Sequence, residues 1–194
     1  LSSFDALQGG ETLTMTGSGT AASANVANGI AMSSNGNLAL ADGTGAASNY
    51  SLNSTVINVT QRPISVSGTR LYDATTNAVA SDLSTHANLV GSETLTLSGT
   101  GTIASKDVGS NKTVSVGTLA LADGTNGGLA ANYTLSGGTH QLTVNQRPLN
   151  ATLARQYDGT TAAAGSTLSS FDALQGGETL TMTGSGTAAS ANVA

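Results

Sequence analysis

Apolar and polar residues alternate with a period of two in short runs along the chain. Clear examples are residues 64–66, 93–97, 113–116 and 141–144, each of which places its apolar residues on one face. Many of the residues in these runs are threonine or valine, whose β-branched side chains suit a half-buried pleated surface. Pairs such as Asp123-Gly124 separate the runs and predict turns, and no stretch sustains a helical period. The pattern therefore predicts an all-β chain.

A long internal repeat determines the domain organisation. Residues 168–194 repeat residues 1–27 without a change, at an offset of 168 − 1 = 167 residues. Identity over this length indicates that the sequence is a window on a periodic array.

The long period contains two related units. Gln61-Arg62-Pro63 recurs at residues 146–148, an offset of 146 − 61 = 85, so that the companion unit has 167 − 85 = 82 residues. The predicted map is the later part of one repeat at 1–60, a complete repeat at 61–145 and the opening of the next at 146–194. Each repeat holds about seven short strands at roughly ten-residue spacing, which is typical of an antiparallel β-sandwich.

Composition excludes several classes of function. The chain has 6 Lys and Arg residues against 11 Asp and Glu, with a net charge of −5, so we expect no nucleic-acid partner. No apolar run reaches the length of a membrane-spanning helix, and we expect no membrane insertion. The absence of cysteine excludes disulfides and thiolate metal sites.

The order of the motifs resembles that of a known family. Tyr-Asp-Gly-Thr-Thr at 157–161, Gly-Gly-Glu-Thr-Leu-Thr at 176–181, Leu-Ala-Leu-Ala-Asp-Gly at 119–124 and Ala-Asn-Tyr-Thr-Leu at 131–135 are similar to the YDG repeat of bacterial filamentous-haemagglutinin-like surface proteins. The resemblance covers each repeat from end to end. It implies all-β, tandem immunoglobulin-like sandwich domains in the stalk of a secreted or outer-membrane-tethered adhesin. The complete repeat departs from the motif at Ala74, where a type I turn would tolerate alanine.

Recurring Asp-Gly pairs and Tyr-Asp motifs have two interpretations. An Asp side chain can accept backbone N–H bonds in a turn while the neighbouring tyrosine packs in the core. The alternative is calcium, with Asp42, Asp123 and Asp158 as candidate ligands. Calcium requires six to eight oxygen ligands, and the acids here are mostly isolated, so the sequence favours turns and predicts no metal or cofactor.

The candidate catalytic residues have little support. His86 corresponds to Phe171 in the next repeat, which indicates a packing or surface position, and His140 has no acid near it in sequence. No nucleophile elbow or phosphate-binding loop is present. We expect no enzymatic activity and no catalytic or cofactor-binding residues.

These observations predict a structural spacer on the bacterial cell surface that supports adhesion or biofilm formation. The expected partners are neighbouring repeats of the same chain. Other copies in a fibre, and a host or matrix surface contacted through regions outside this sequence, stay open. The alternative is an array that binds carbohydrate or matrix weakly at many points. Pro63 and Pro148 stiffen the two Gln-Arg-Pro junctions.

Overall fold

The computed structural model describes residue 4 and residues 7–192, and the calls that include the other terminal positions lie partly outside the described residues. The described chain is all-β, with no α-helix. Its strands are β1 Leu13–Thr16, β2 Thr20–Ala21, β3 Ala27–Ser34, β4 Ala39–Asp42, β5 Val56–Val59, β6 Arg62–Pro63, β7 Ser65–Leu71, β8 Asn77–Val79, β9 Thr85–Ala87, β10 Leu95–Ser98, β11 Thr100–Ile103, β12 Gly109–Ser115, β13 Ala120–Asp123, β14 Tyr133–Thr134, β15 Gln141–Asn145, β16 Ala151–Leu153, β17 Ala162–Ala164, β18 Leu168–Phe171 and β19 Ser185–Thr187.

Short 3₁₀ turns occur at Ala47–Asn49, Ala80–Asp82, Ala130–Asn132 and Gly165–Thr167. Within the described residues, no helix is long and apolar enough to span a bilayer. The chain forms two compact units. One comprises the chain up to Ile64 with Asn88–Thr96 and Leu121–Gly137, and the other comprises Ser65–Ala87, Leu97–Ala120 and the chain from Gly138 onward.

The second unit is built on a six-stranded sheet with the order β8-β11-β12-β15-β7-β9. The predicted alternation in the run 141–144 is confirmed, since Leu142 and Val144 are 0% and 1% exposed while Gln141 and Thr143 are half-buried. Val66 and Val114 contribute further buried side chains from β7 and β12. The hydrophobic core of this unit therefore lies against one face of the sheet.

The first unit contains smaller sheets, with the orders β2-β3-β5, β1-β4 and β6-β14. Its buried residues include Leu13, Leu95 and Tyr133. At the first Gln-Arg-Pro junction, Arg62 and Pro63 pair with Tyr133 and Thr134. The junction is thus part of a sheet.

Two strand pairs are parallel, and the expectation of wholly antiparallel pairing is wrong for them. β15 pairs in parallel with β7, from Gln141 opposite Ser67 to Asn145 opposite Leu71, and β14 pairs in parallel with β6. In both pairs a strand early in the repeat lies beside a strand late in it. The long connection allows this geometry, whereas a short hairpin would enforce antiparallel pairing.

The strand pairings recur with the sequence repeat. β1-β4 corresponds to β10-β13 at an offset of 95 − 13 = 82, and β2-β3-β5 corresponds to β11-β12-β15. β7-β9 and β8-β11 correspond to β16-β18 and β17-β19. Even the irregularity of β12 between Gly109 and Lys112 has its counterpart in β3 between Ala27 and Ile30. Equivalent sequences therefore form equivalent local structures, while the repeat boundaries themselves stay a prediction.

Candidate functional site: a tyrosine clasp in each repeat

Each repeat contains a tight turn that ends on a glutamate. The glutamate N–H donates to the carbonyl of the residue three positions earlier, at 3.0 Å in each case. Left-handed glycines form the turn, because only glycine adopts positive φ without strain. The three turns run from Gln8 to Glu11, from Val90 to Glu93 and from Gln175 to Glu178.

A tyrosine about forty residues later closes two of these turns. The Tyr133 hydroxyl donates to the Glu93 carboxylate and accepts the Val90 N–H at 3.1 Å. Tyr50 repeats the arrangement: its hydroxyl donates to Glu11 at 2.5 Å and accepts the N–H of residue 8 at 3.3 Å. We call this arrangement the tyrosine clasp, formed by Tyr133, Glu93 and Val90 in the complete repeat and by their counterparts in the first.

The clasps differ in burial. Tyr133 is 3% exposed, and its burial, followed by the hydrogen bond to Glu93, raises the pKa of its hydroxyl. Tyr50 is half-buried, and the hydrogen bond to Glu11 raises the pKa of Tyr50. Both tyrosines stay protonated donors at neutral pH, so each clasp is a charge-assisted hydrogen bond.

The residue before Tyr133 holds part of the preceding repeat. The Asn132 side chain accepts the Val26 N–H at 2.9 Å and donates to the Asn25 side chain at 3.0 Å. Nearby, Gln61 Nε2 donates to the Ala131 carbonyl at 3.2 Å. The Asn-Tyr pair therefore closes its own repeat through the tyrosine and binds residues 25–26 through the asparagine.

The YDG-type motif forms a second recurring structure. Asp73 Oδ1 accepts the Thr75 N–H at 2.9 Å and hydroxyl at 3.0 Å, and it pairs with the Arg70 guanidinium. Burial acts to raise the pKa of Asp73, but the Thr75 hydrogen bonds and Arg70 together hold it below its usual value. Arg70 also donates to the Thr75 carbonyl at 2.6 Å. The motif is an Asx turn locked by arginine.

The next repeat has the same lock in a more exposed setting. Asp158 accepts the N–H and hydroxyl of Thr160, both at 2.9 Å, and pairs with Arg155. The Thr160 N–H, the Arg155 guanidinium and the Thr160 hydroxyl lower the pKa of Asp158 to about 2. The predicted Asp–Thr turn is confirmed in both repeats.

Two details of the motif differ from expectation. Ala74 has a φ of 62° and its counterpart Gly159 has a φ of 75°, so the turn is left-handed at this position and favours glycine. The expectation that a type I turn would suit Ala74 is therefore wrong. Tyr157 is 66% exposed, so its ring does not pack in a core as expected, because its described neighbours leave it at the surface.

The candidate calcium ligands lie in separate turns. Asp42 and Asp123 accept the backbone N–H groups of Ala47 and Ala130 at 2.7 and 2.8 Å, where 3₁₀ turns begin. Among the described residues, no group of three His, Asp or Glu side chains could hold a metal ion. The observed bonds belong to turns, and the calcium hypothesis stays a prediction.

The two histidines are packing residues in their local contacts. His86 lies opposite Val66 in β9, where the next repeat places Phe171 opposite Ala151, and burial lowers the pKa of His86. His140 is 6% exposed, and its Nδ1 accepts the Val66 N–H at 3.3 Å.

The tyrosine clasp is a site that sequence reasoning missed. The Asn-Tyr pairs were interpreted as core anchors with an unnamed partner for the hydroxyl. The glutamate partner was foreshadowed by one signal, because the spacing from glutamate to tyrosine is 50 − 11 = 39 residues in one repeat and 133 − 93 = 40 in the next.

The comparisons with known proteins agree with the repeat structure. The YDG domain family matches residues 58–142, close to the predicted complete repeat at 61–145. No curated protein and no solved structure matches the chain. The matched stretch contains the Arg70–Asp73 lock and the complete clasp of Tyr133. Residues 58–142 therefore form a YDG domain.

Proposed function

We propose that the chain is a stretch of tandem spacer repeats in the stalk of a secreted or cell-surface bacterial adhesin of the filamentous-haemagglutinin-like type. The recurrence of the same strand pairings and the same clasp in successive repeats is the observation that supports this proposal. Each repeat is an immunoglobulin-like β-sandwich domain in this proposal, and its role in attachment or biofilm formation is to extend an adhesive region away from the cell. Catalysis has no part in it.

Two kinds of contact suit a mechanical spacer. The clasp joins segments about forty residues apart within a repeat, so that a pull on the chain must break a buried, charge-assisted hydrogen bond. The junction is also held: Arg62 Nε donates to the Asn88 carbonyl at 2.7 Å, and Arg147 Nε donates to the Tyr72 carbonyl at 2.6 Å. These bonds, with Pro63 and Pro148, limit rotation about the junctions.

The spacer proposal is tested with recombinant arrays of one, two and four 167-residue periods. Small-angle X-ray scattering should show a maximum dimension that grows by a constant step per period. A dimension that stops growing between two and four periods would mean that the repeats collapse on one another, and the spacer function would be rejected. The same arrays should bind no polysaccharide or matrix protein.

One observation favours the alternative of weak carbohydrate binding. Tyr157 is 66% exposed, and exposed aromatic rings are common in saccharide sites. A glycan array probed with the four-period protein separates the two functions. Binding that disappears in Tyr157→Ser would support the carbohydrate array, whereas no binding favours the spacer.

A further inference from the structure

The third turn, Gln175 to Glu178, borders an open groove of about 600 Å³ in the second unit. Its lining includes Gln146, Leu149, Gln175, Glu178 and Leu180. We call this the repeat-three groove. It combines apolar side chains with one carboxylate.

In the complete repeat, the equivalent positions are covered by the chain itself. Gln61, Ile64, Val90, Glu93 and Leu95 correspond to the five lining residues at an offset of 85. The segment that covers them is 131–135: Ala131 accepts from Gln61, Tyr133 closes the clasp, and Thr134 accepts the Ile64 N–H at 3.0 Å. The repeat-three groove is therefore the receptor half of a known contact.

Exposure shows the difference directly. Leu13 and Leu95 are 8% and 5% exposed in the repeats whose clasps are closed. The equivalent Leu180 is 52% exposed. Ile64 is fully buried, while its counterpart Leu149 is half-buried. An Asn-Tyr segment would cover this apolar surface.

Glu178 has substitute partners in place of a clasp tyrosine. It accepts the Tyr72 hydroxyl and the Lys106 ammonium, the latter at 2.5 Å. Lys106, and then Tyr72, hold the pKa of Glu178 below its usual value. Lys106 is 41% exposed and Glu178 is 34% exposed, so this pair is open to solvent and contributes little to stability. An entering tyrosine hydroxyl can replace it.

We propose that the repeat-three groove binds the segment Ala47–Leu52 of a second copy of this chain. The turn in the groove, Gln175 to Leu180, has the same sequence as Gln8 to Leu13, where Tyr50 already forms its clasp. Moving Tyr50 from Glu11 of its own copy to Glu178 of another exchanges one clasp for an equivalent one. Such an exchange is the low-cost route to domain-swapped association.

The strand edges agree with this assignment. In the complete repeat β7 lies between β9 and β15, whereas its counterpart β16 pairs, among the described strands, with β18 alone. β5, the counterpart of β15, pairs with β3 alone. A second copy's β5 can therefore lie parallel to β16 as β15 lies beside β7. Because donor and receptor are different surfaces, the association is head-to-tail and open-ended.

Sedimentation velocity of the 194-residue protein over a concentration series tests the proposal. We expect mass to rise with concentration in steps of one chain. Glu178→Gln and Leu180→Ser should each weaken association about tenfold or more, because a hydrogen bond to a charged group or a buried leucine is lost. Both side chains are substantially exposed, and circular dichroism should show unchanged folding.

Two further arms fix the occupant. Glu11→Gln weakens the home clasp of Tyr50 and should strengthen association, which a general loss of solubility at other faces would not predict. A synthetic peptide with the sequence of residues 46–53 should compete, whereas the same peptide with phenylalanine for Tyr50 should compete at least about tenfold less. A protein that stays monomeric at every concentration, or association unchanged by Glu178→Gln, overturns the proposal. The inference concerns the groove alone and stands whether or not the array is an adhesin stalk.

Discussion

Replacement of Tyr133 by phenylalanine removes one buried hydroxyl and leaves the ring in place. The hydroxyl donates to the Glu93 carboxylate and accepts the Val90 N–H, and the side chain is 3% exposed. A hydrogen bond to a charged group contributes about 1.5–3 kcal/mol, and a buried N–H left unpaired costs a similar amount. Since the two losses overlap, we expect Tyr133→Phe to lower the free energy of unfolding by about 2–3 kcal/mol.

The assay is equilibrium unfolding in urea followed by circular dichroism. With a slope of about 1–3 kcal/mol per molar urea, the midpoint should fall by about 1 M or more. Amide exchange at Val90 should become faster, because its N–H loses its acceptor. Tyr157→Phe is the matched control: that ring is 66% exposed, and we expect a change within about 0.5 kcal/mol.

A double-mutant cycle with Glu93→Gln isolates the clasp from the general effect of each substitution. We expect a coupling energy of about 1 kcal/mol or more between Tyr133 and Glu93. Coupling below about 0.3 kcal/mol, with unchanged exchange at Val90, would refute the clasp as a stabilising contact.

Three other substitutions test the motifs around the clasp. Ala74→Gly should stabilise the protein by up to about 1 kcal/mol in urea unfolding, because alanine is strained at a φ of 62°; a loss of stability would contradict the strain. Gly68→Ala should destabilise by about 2 kcal/mol or more, since its Cβ would lie 1.6 Å from the Asp82 carbonyl oxygen, and an unchanged melting temperature would contradict this close approach. The pKa of Asp73 is lowered in the fold, so its stabilisation is present above its unfolded value and is lost as pH falls through the folded value. Asp73→Asn should therefore be less stable at pH 7 and should lose less stability between pH 7 and pH 3, which parallel pH profiles would contradict.

The local structure was predictable because it depends on neighbours in sequence. The alternation of apolar and polar residues in 141–144 sets the buried face of β15. The Asp–Thr turn at Asp158 needs only residues two positions apart. The array itself was visible as an exact repeat of residues 1–27.

The remaining features depend on contacts distant in sequence or on backbone geometry. The Tyr133–Glu93 bond joins residues forty positions apart, and no local pattern names its partner. The parallel pairing of β7 with β15 is likewise a long-range choice that alternation does not encode. The left-handed conformation of Ala74 was missed because a sequence departure was interpreted as tolerance, whereas it is strain.

The central claim is that the repeat is the structural and functional unit of the array. Single-molecule force extension of a protein with several periods tests this claim most directly. Repeats of 85 and 82 residues should unfold one at a time, each adding roughly 27–31 nm of extended chain before the folded length is subtracted. Steps of roughly 55–60 nm, in which the whole 167-residue period opens at once, would contradict the account, as would shorter steps that match neither repeat.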